Sequence, residues 1–136
     1  MTPRYRAWIK TEKRMFFSDD ILAIDYENEE IVTQQVYFEN GLPDDRDIYY
    51  YNPDEIELMQ STGLTDKNGK EIFEGDIVKM AKDVYSKPTY YEVVRHRGGA
   101  YRLESKQHGC ELWLRHTECE VVGNVYENKE LMEAIK

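Results

Sequence analysis

Four residues of the kind that bind zinc lie close together in the last third of the chain. They are His108, Cys110, His116 and Cys119, and two cysteines with two histidines can complete a tetrahedral Zn²⁺ site. Their spacing argues against such a site, because neither pair forms the short Cys-x-x-Cys knuckle of structural zinc sites. Cys119 also alternates with Val121 in a predicted strand, which is typical of a small core residue. The sequence therefore favours unliganded side chains and predicts no cofactor.

The segment Gly63–Glu71 has only a superficial likeness to a phosphate-binding loop. Five residues separate Gly63 from Gly69 where that loop has four, and Glu71 stands in place of the Mg²⁺-binding hydroxyl residue. The sequence that follows is strand-like, so no helix N-terminus would face a phosphate. The run from Asp66 to Gly69 instead predicts a type I turn followed by a bulge, because asparagine and glycine tolerate positive φ.

Acidic loops offer a second route to catalysis, through a divalent cation. Asp19, Asp20, Asp44, Asp45 and Asp47 would have to converge to hold it, and their order lacks the alternating ligands and central glycine of an EF-hand loop. The chain also has no nucleophile elbow, no His-Glu-x-x-His motif and no glycine-rich dinucleotide turn. We therefore predict solvated acidic loops and no catalytic residue.

Composition narrows the classes of partner. The 136 residues include 18 Lys and Arg against 27 Asp and Glu, which gives a net charge of −9. Such a chain is poorly suited to binding nucleic acid by neutralising phosphates. No apolar run approaches the roughly 18 residues of a membrane span. Two cysteines without an export signal predict reduced thiols in a cytoplasm, and an aromatic share of 12% predicts a packed core.

The charges are unevenly distributed along the chain. Residues 1–14 carry five basic groups and one acid, residues 15–60 carry one basic group and thirteen acids, and residues 61–136 are nearly balanced. The simpler interpretation is a solvated acidic face beside a basic edge strand, since Lys and Arg discourage edge pairing. The alternative is complementarity between subunits, in which the basic arm of one copy meets the acidic region of another.

Alternation of apolar and polar residues predicts strands in the N-terminal half. The predicted strands are residues 5–9, 15–17, 22–26, 31–38 and 48–51. Asn40-Gly41 ends the fourth strand with strong turn chemistry, and the acidic segment Leu42–Asp47, which contains Pro43, is predicted to be a loop. Residues 55–60 fit a strand or a helical turn, and the pattern does not decide between them.

The C-terminal half predicts five short strands with tight connections. They are residues 76–80, 90–97, 100–105, 111–115 and 120–126. Glu74-Gly75 and Gly98-Gly99 mark reversals, and the arrangement predicts a small closed or nearly closed barrel. Residues 128–136 predict a short helix that Asn128 could cap and that must dock its apolar side to persist.

Three motifs resemble the YopX family of phage and prophage proteins. They are the segment 58–78, the opening Arg4-Tyr5-Arg6-Ala7-Trp8 with Met15, and the closing run 123–128 followed by Leu131. The resemblance implies a mainly β (α+β) protein, with an N-terminal β-rich lobe over residues 1–57. It implies a C-terminal SH3-like small β-barrel with a short helix over residues 58–136, the two lobes forming one compact unit. It supplies no catalytic residues. The motif residues expected to be structural are Trp8, Thr62, Gly63, Leu64, Asp66, Gly69, Gly75, Asp76, Gly123 and Asn124.

These observations favour a non-enzymatic protein of the host bacterial cytoplasm that self-associates, as a homo-oligomer, or binds a phage or host protein. Two alternatives stay open. One is a metal-dependent enzyme that uses the acidic loops or the Cys/His residues. The other is an acidic decoy, whose residues 15–60 would imitate the phosphates bound by a host nucleic-acid-binding protein.

Overall fold

A computed structural model describes residues 4–81, 83–96, 98–106 and 108–135. The fold is mainly β, and the chain forms two compact units, Met1–Met59 and Gln60–Lys136. The boundary between the units lies inside the strand Ile56–Thr65. The sequence-based division after residue 57 falls in the same strand. The chain therefore passes from one unit to the other within a strand and without a linker.

The first unit contains five strands and the beginning of a sixth. They are β1 (Tyr5–Ile9), β2 (Arg14–Phe16), β3 (Ile21–Asp25), β4 (Glu30–Glu39), β5 (Leu42–Tyr51) and β6 (Ile56–Thr65). β1 and β2 form an antiparallel hairpin, and β3, β4 and β5 form a separate three-stranded sheet in that order. Residues 55–60, which the pattern left open, lie mostly in β6.

The core of the first unit is built from side chains of β1, β2, β4, β5 and β6. In β4 it takes Ile31, and not the alternating apolar set Val32, Val36 and Phe38. Ala7 and Ile9 of β1 are fully buried, and they pack in one cluster with Phe16, Ile31, Tyr51 and Ile56. The ring of Phe16 lies 6.1 Å from that of Tyr49 and 6.2 Å from that of Tyr51, between centroids. Aromatic pairs at this separation contribute beyond their buried area, so β2 and β5 are held to the same core.

The prediction that Leu42–Asp47 is a loop is wrong, because this segment is the first part of β5. Asn40 and Gly41 both have positive φ, 53° and 79°, which is the conformation of a tight hairpin turn. β5 therefore returns directly alongside β4. Pro43 is tolerated because β5 is an edge strand, where a missing N–H need not break a ladder.

The second unit is organised around one antiparallel sheet. After β7 (Glu71–Phe73) come β8 (Asp76–Met80), β9 (Thr89–Arg95), β10 (Tyr101–Glu104), β11 (Gly109–Glu111) and β12 (Glu120–Asn124). The sheet has the order β11-β10-β9-β8-β12 and curves as a half-barrel. Its core cluster contains Ile72, Val78, Met80, Tyr91, Val93, Leu103, Leu112 and Cys119.

Two short helices complete this unit, and one of them corrects a prediction. Residues 111–115 were expected to form a strand, but only Glu111 is in one, and α1 (Leu112–Arg115) follows it. Leu112 is fully buried while Leu114 is 57% exposed. A strand would place these two residues on the same face, so burial of Leu112 alone favours the helical turn.

The predicted C-terminal helix is confirmed as α2 (Lys129–Ile135). Ile135 is buried, and its carbonyl oxygen accepts a hydrogen bond of 3.0 Å from the backbone of Lys106. Asn128 has a different role from the predicted cap, because its Oδ1 accepts from the backbone N–H of Asn124 at 3.1 Å. In the part of the chain that is described, neither helix has the length and apolar character needed to cross a bilayer.

Candidate functional site

An apolar surface covers the side of the β3-β4-β5 sheet that points away from the core. Residues paired across an antiparallel ladder share a face, and Val32 lies opposite Tyr50 as Phe38 lies opposite Pro43. The alternate position Thr33 is buried on the core side. We call the side that points away, from the Ala23–Val32 pair to the hairpin turn, the outer face, and its residues are Ala23, Val32, Gln34, Val36, Phe38, Pro43, Arg46, Ile48 and Tyr50.

The large apolar side chains of the outer face are strongly exposed. Phe38 is 66% exposed, Tyr50 64% and Ile48 40%. The charged member of this face, Arg46, donates from Nη1 to Oε1 of Gln34 at 3.1 Å. Large contiguous apolar patches are uncommon on the surface of folded proteins, and where they occur they usually mark an interaction site. The outer face is therefore the candidate site for binding a protein.

On the opposite side of the β4-β5 hairpin, the residues near the turn lie beyond the core and are polar. Tyr37 lies opposite Asp45, and its hydroxyl donates to Oδ2 of Asp47 at 2.8 Å. This hydrogen bond, followed by partial desolvation and the charge of Asp47, raises the pKa of Tyr37 to about 12. The phenol thus stays protonated near neutral pH, and the two sides of the hairpin tip differ sharply in character.

The basic arm makes its contacts within the first unit. Arg4 lies 3.8 Å from a carboxylate oxygen of Asp19, and Lys10 lies 3.1 Å from one of Glu57. Arg14 places its guanidinium carbon 4.3 Å from the centroid of the Phe16 ring, close enough for a cation–π interaction. These contacts hold the basic side chains against their own unit.

The four candidate zinc ligands are not brought together as a metal site. His116 Nδ1 lies 2.8 Å from the carbonyl oxygen of Thr65, and the Cys119 thiol donates to the carbonyl oxygen of His116 at 3.3 Å. Cys110 lies in β11 and His108 immediately before it. Among the described residues, no group of three or more His, Cys, Asp or Glu side chains is placed to hold a metal ion. The same finding applies to the acidic loops.

Both cysteines are free thiols with raised pKa values. Burial raises the pKa of Cys119 to about 11, and the negative charge of Asp66 adds to the effect. Burial also raises the pKa of Cys110, against the opposing influence of Arg115 and Arg102. Since the thiolate is the nucleophile and the metal ligand, both residues are poorly suited to either chemistry.

Asp66 joins two backbone segments by accepting three N–H groups with one buried carboxylate. Its Oδ1 accepts from the N–H groups of Asn68 and Lys70, both at 2.9 Å, and its Oδ2 accepts from that of Val121 at 2.8 Å. Burial by itself would raise the pKa of Asp66, but the three backbone donors outweigh it and the pKa is lowered. The carboxylate therefore fastens the turn after β6 to β12. Gly69 closes that turn with a φ of +81°.

The preceding motif residues act on the same strands. Thr62 donates from Oγ1 to the carbonyl oxygen of Ile72 at 2.7 Å and accepts from the N–H of Leu64 at 3.2 Å. Gly63, between them, has a φ of +78°, which favours glycine. This segment produces the shift of register between β6 and β7. Trp8, the motif residue of β1, is half-buried opposite Met15.

The last motif residues link the turn before β8 to the end of β12. Asp76, 1% exposed, accepts from the N–H of Phe73 at 2.8 Å. The carbonyl oxygen of Gly75 accepts from Val125 at 2.9 Å. Asn124 accepts from the N–H groups of residues 126 and 127, at 3.0 and 2.8 Å. Each described contact of these residues orders a turn or joins two strands.

Gly123 leaves room for the side chain that closes this turn. A Cβ at Gly123 would come within 2.6 Å of Cγ of Asn128 and even closer to its Oδ1. The hydrogen bond from the Asn124 N–H to that Oδ1 therefore depends on the missing side chain at position 123. The glycine at position 123 and the asparagine at position 128 are thus explained by the close contact between them.

Sequence reasoning missed the outer face because it treated Leu42–Asp47 as a loop. The signal was present, since Asn-Gly between two strand-like runs is the strongest short-range indication of a hairpin. Extending β5 back to Leu42 would have paired Phe38 and Val36 with residues of the returning strand. The acidic residues and Pro43 concealed it, because both are depleted in strands.

Comparisons with known proteins give a family but no activity. The family model described as YopX protein matches residues 4–133 of the chain. The crystal structure of protein EF1440 from Enterococcus faecalis is similar to this chain, with 29% identity and a TM-score of 0.63, and covers 97% of this chain and 99% of that one. Protein yopX from Bacillus subtilis is similar with 21% identity and a TM-score of 0.65, over 94% of this chain and 96% of that one. No curated protein matches. Because the family model spans nearly the whole sequence, the chain belongs to the YopX family.

Proposed function

We propose that this protein is a non-enzymatic phage or prophage protein that self-associates through the outer face of its β3-β4-β5 sheet. The observation that carries the proposal is the exposure of Phe38, Ile48 and Tyr50 on the outer face. Beyond the pair Ile21–Thr33, β4 and β5 continue without β3 as a two-stranded extension, which carries Phe38 and Ile48. An isolated two-stranded hairpin is marginally stable in water. A partner that covers this side would remove apolar surface from water and stabilise the extension.

A second copy of the chain is the occupant that the apolar character of the outer face favours, because two such faces are complementary to each other. Arg46 is the sole basic residue between positions 15 and 60, and it stands on β5 between Asp45 and Asp47, with Asp44 close by. Two outer faces related by a two-fold axis bring the same patch to both sides of the interface. Such an arrangement buries the apolar residues of both copies against each other, while Gln34 of the same copy binds the guanidinium of Arg46.

The remaining parts of the proposal concern architecture. We propose that the half-barrel sheet of the second unit belongs to an SH3-like barrel and that the family-motif residues have structural roles. The contacts of Asp66, Asp76 and Asn124 with backbone N–H groups support the second point. A metal-dependent enzyme finds no specific support in the described side chains.

Light scattering coupled to size exclusion tests self-association. We expect a mass of twice 16.2 kDa for the unaltered protein, and a mass near the monomer for the double variant Phe38→Ser/Tyr50→Ser. The matched control is Phe17→Ser/Tyr85→Ser, which removes two exposed aromatic side chains outside the outer face and should leave the dimer intact. A monomer at every concentration, or a dimer that survives the outer-face variant, refutes the proposal.

A further inference from the structure

A cavity of about 440 Å³ opens in the first unit where β3 ends and β4 begins. Its floor is apolar and consists of Ile24, Ile31 and Leu58, with Tyr26 and Pro53 beside them. Ile24 and Ile31 lie opposite each other in the β3–β4 ladder, so the floor is the edge of the core. Cavities of this volume are within the range of ligand-binding sites.

The rim of this cavity is negatively charged. Asp25, Glu29, Glu30 and Asp54 line it, and none of the described residues that line it is basic. Asp25 and Glu30 are direct partners across the β3–β4 ladder, and like charges in that position destabilise a sheet. Within the described residues, no ion pair reaches Glu29, Glu30 or Asp54. The cavity therefore combines apolar surface with uncompensated negative charge.

One of these carboxylates is fixed in its ionised form. The backbone N–H of Asn28 donates to Oδ1 of Asp25 at 3.1 Å and its side-chain amide donates to Oδ2 at 2.8 Å, and Glu27 adds a third bond at 3.0 Å. The backbone and side-chain hydrogen bonds from Asn28 are the main reasons why the pKa of Asp25 is lowered. This carboxylate keeps both its position and its charge near neutral pH.

We propose that the cavity binds a lysine- or arginine-bearing segment of a partner protein. Lysine and arginine have an apolar stem that can lie on apolar surface and a charged head that stays among polar groups, which matches the floor and the rim. The ring of Tyr26, 81% exposed, offers a cation–π surface beside them. Charge complementarity selects a basic segment, and the apolar floor selects long side chains over a bare cation.

The basic arm of a second copy is the poorer occupant. Arg4, Lys10 and Arg14 already contact carboxylates of their own unit. The described lining residues of the cavity do not include Phe38, Ile48 or Tyr50, on which the proposed self-association depends. Binding at the cavity and self-association can therefore be tested with different variants, and the two can fail separately.

The test uses the full chain and a fluorescein-labelled peptide of alternating lysine and alanine, with binding followed by fluorescence anisotropy. The double variant Glu30→Gln/Asp54→Asn should raise the dissociation constant roughly tenfold or more, which corresponds to the loss of about 1.4 kcal/mol. The matched control, Glu39→Gln/Asp44→Asn, removes the same two charges from the hairpin tip and should change it by less than about twofold, because those exposed charges are screened. Equal weakening by both variants would indicate diffuse attraction to an acidic surface and would overturn the proposal.

A second pair of variants keeps the test valid if the double variant Glu30→Gln/Asp54→Asn does not fold. Tyr26→Ser should also weaken binding several-fold, whereas Tyr85→Ser, at another highly exposed tyrosine, should leave it unchanged. A peptide with diaminopropionic acid in place of lysine keeps the charge on a shorter stem and should bind several-fold more weakly. Equal binding of the two peptides, no binding of either, or displacement of the peptide by equimolar spermidine would each reject a site for basic protein segments.

Discussion

Replacing Asp66 by asparagine should lower the free energy of unfolding by about 2–3 kcal/mol. The amide keeps one oxygen for the N–H groups of Asn68 and Lys70, but it presents NH₂ to the N–H of Val121, which lies 2.8 Å from the present Oδ2. One charge-assisted hydrogen bond is lost and a donor is left unsatisfied at a position only 4% exposed. Losses of this kind cost about 1–3 kcal/mol each, and the two overlap.

Urea unfolding followed by circular dichroism measures this difference. Asp44→Asn is the matched control, since it makes the same chemical change at an exposed position of β5 and should alter stability by less than about 0.5 kcal/mol. Asp66→Ala, which removes all three acceptor contacts, should be more destabilising than Asp66→Asn. If the two asparagine variants have the same midpoint, the carboxylate does not fasten the turn to β12.

The same variant has a pH signature. The folded-state pKa of Asp66 lies below the ordinary value of 3.8, so its contribution to stability is fully present above that value and is lost as pH falls through the folded-state pKa. The stability difference between the unaltered protein and Asp66→Asn should therefore be constant near neutral pH and shrink on acidification below about pH 4. A difference that grows with acidification would contradict the lowered pKa.

Three further predictions concern Gly69, Gly123 and the thiol of Cys119. Gly69→Val should destabilise the fold by about 1–3 kcal/mol through its positive φ alone, since the space around a Cβ there is open. Gly123→Ala should destabilise the fold by a similar amount, because the added Cβ would displace Asn128. Thermal melts measure both variants, and an unchanged melting midpoint refutes the prediction for that variant. Near neutral pH Cys119 should react with iodoacetamide far more slowly than a free peptide thiol, because burial raises its pKa to about 11; mass spectrometry follows the modification, and rapid labelling of Cys119 in the folded protein would contradict its burial.

The sequence by itself determined the strands whose two faces differ in polarity. β1 and β8 have the predicted bounds, and Ala7 and Ile9 are buried as the alternation indicates. The turns at Asn40-Gly41 and Gly98-Gly99 could also be predicted from the sequence, because glycine and asparagine adopt positive φ at little cost. The absence of a recognisable catalytic motif was also a property of the sequence, and the family followed from its motifs.

Local patterns failed where burial depends on distant segments. Leu42–Asp47 looks like a loop by composition, and it is a strand because β4 supplies a partner for its backbone. Leu112–Arg115 looks like a strand, and it is a helical turn that packs Leu112 into the core of the second unit and leaves Leu114 exposed. Both outcomes depend on neighbours that no short window contains.

The same distinction separates the motif residues from the candidate sites. The sequence could mark Asp66 as a turn residue, but only the tertiary structure brings the N–H of Val121, 55 positions away, to its second oxygen. The outer face likewise exists only once β3, β4 and β5 are in register, and the acidic cavity only once Asp54 lies near the end of β3. Residue types and spacing fix local conformation through sterics and alternation. Which surfaces and charges come together is decided by long-range packing.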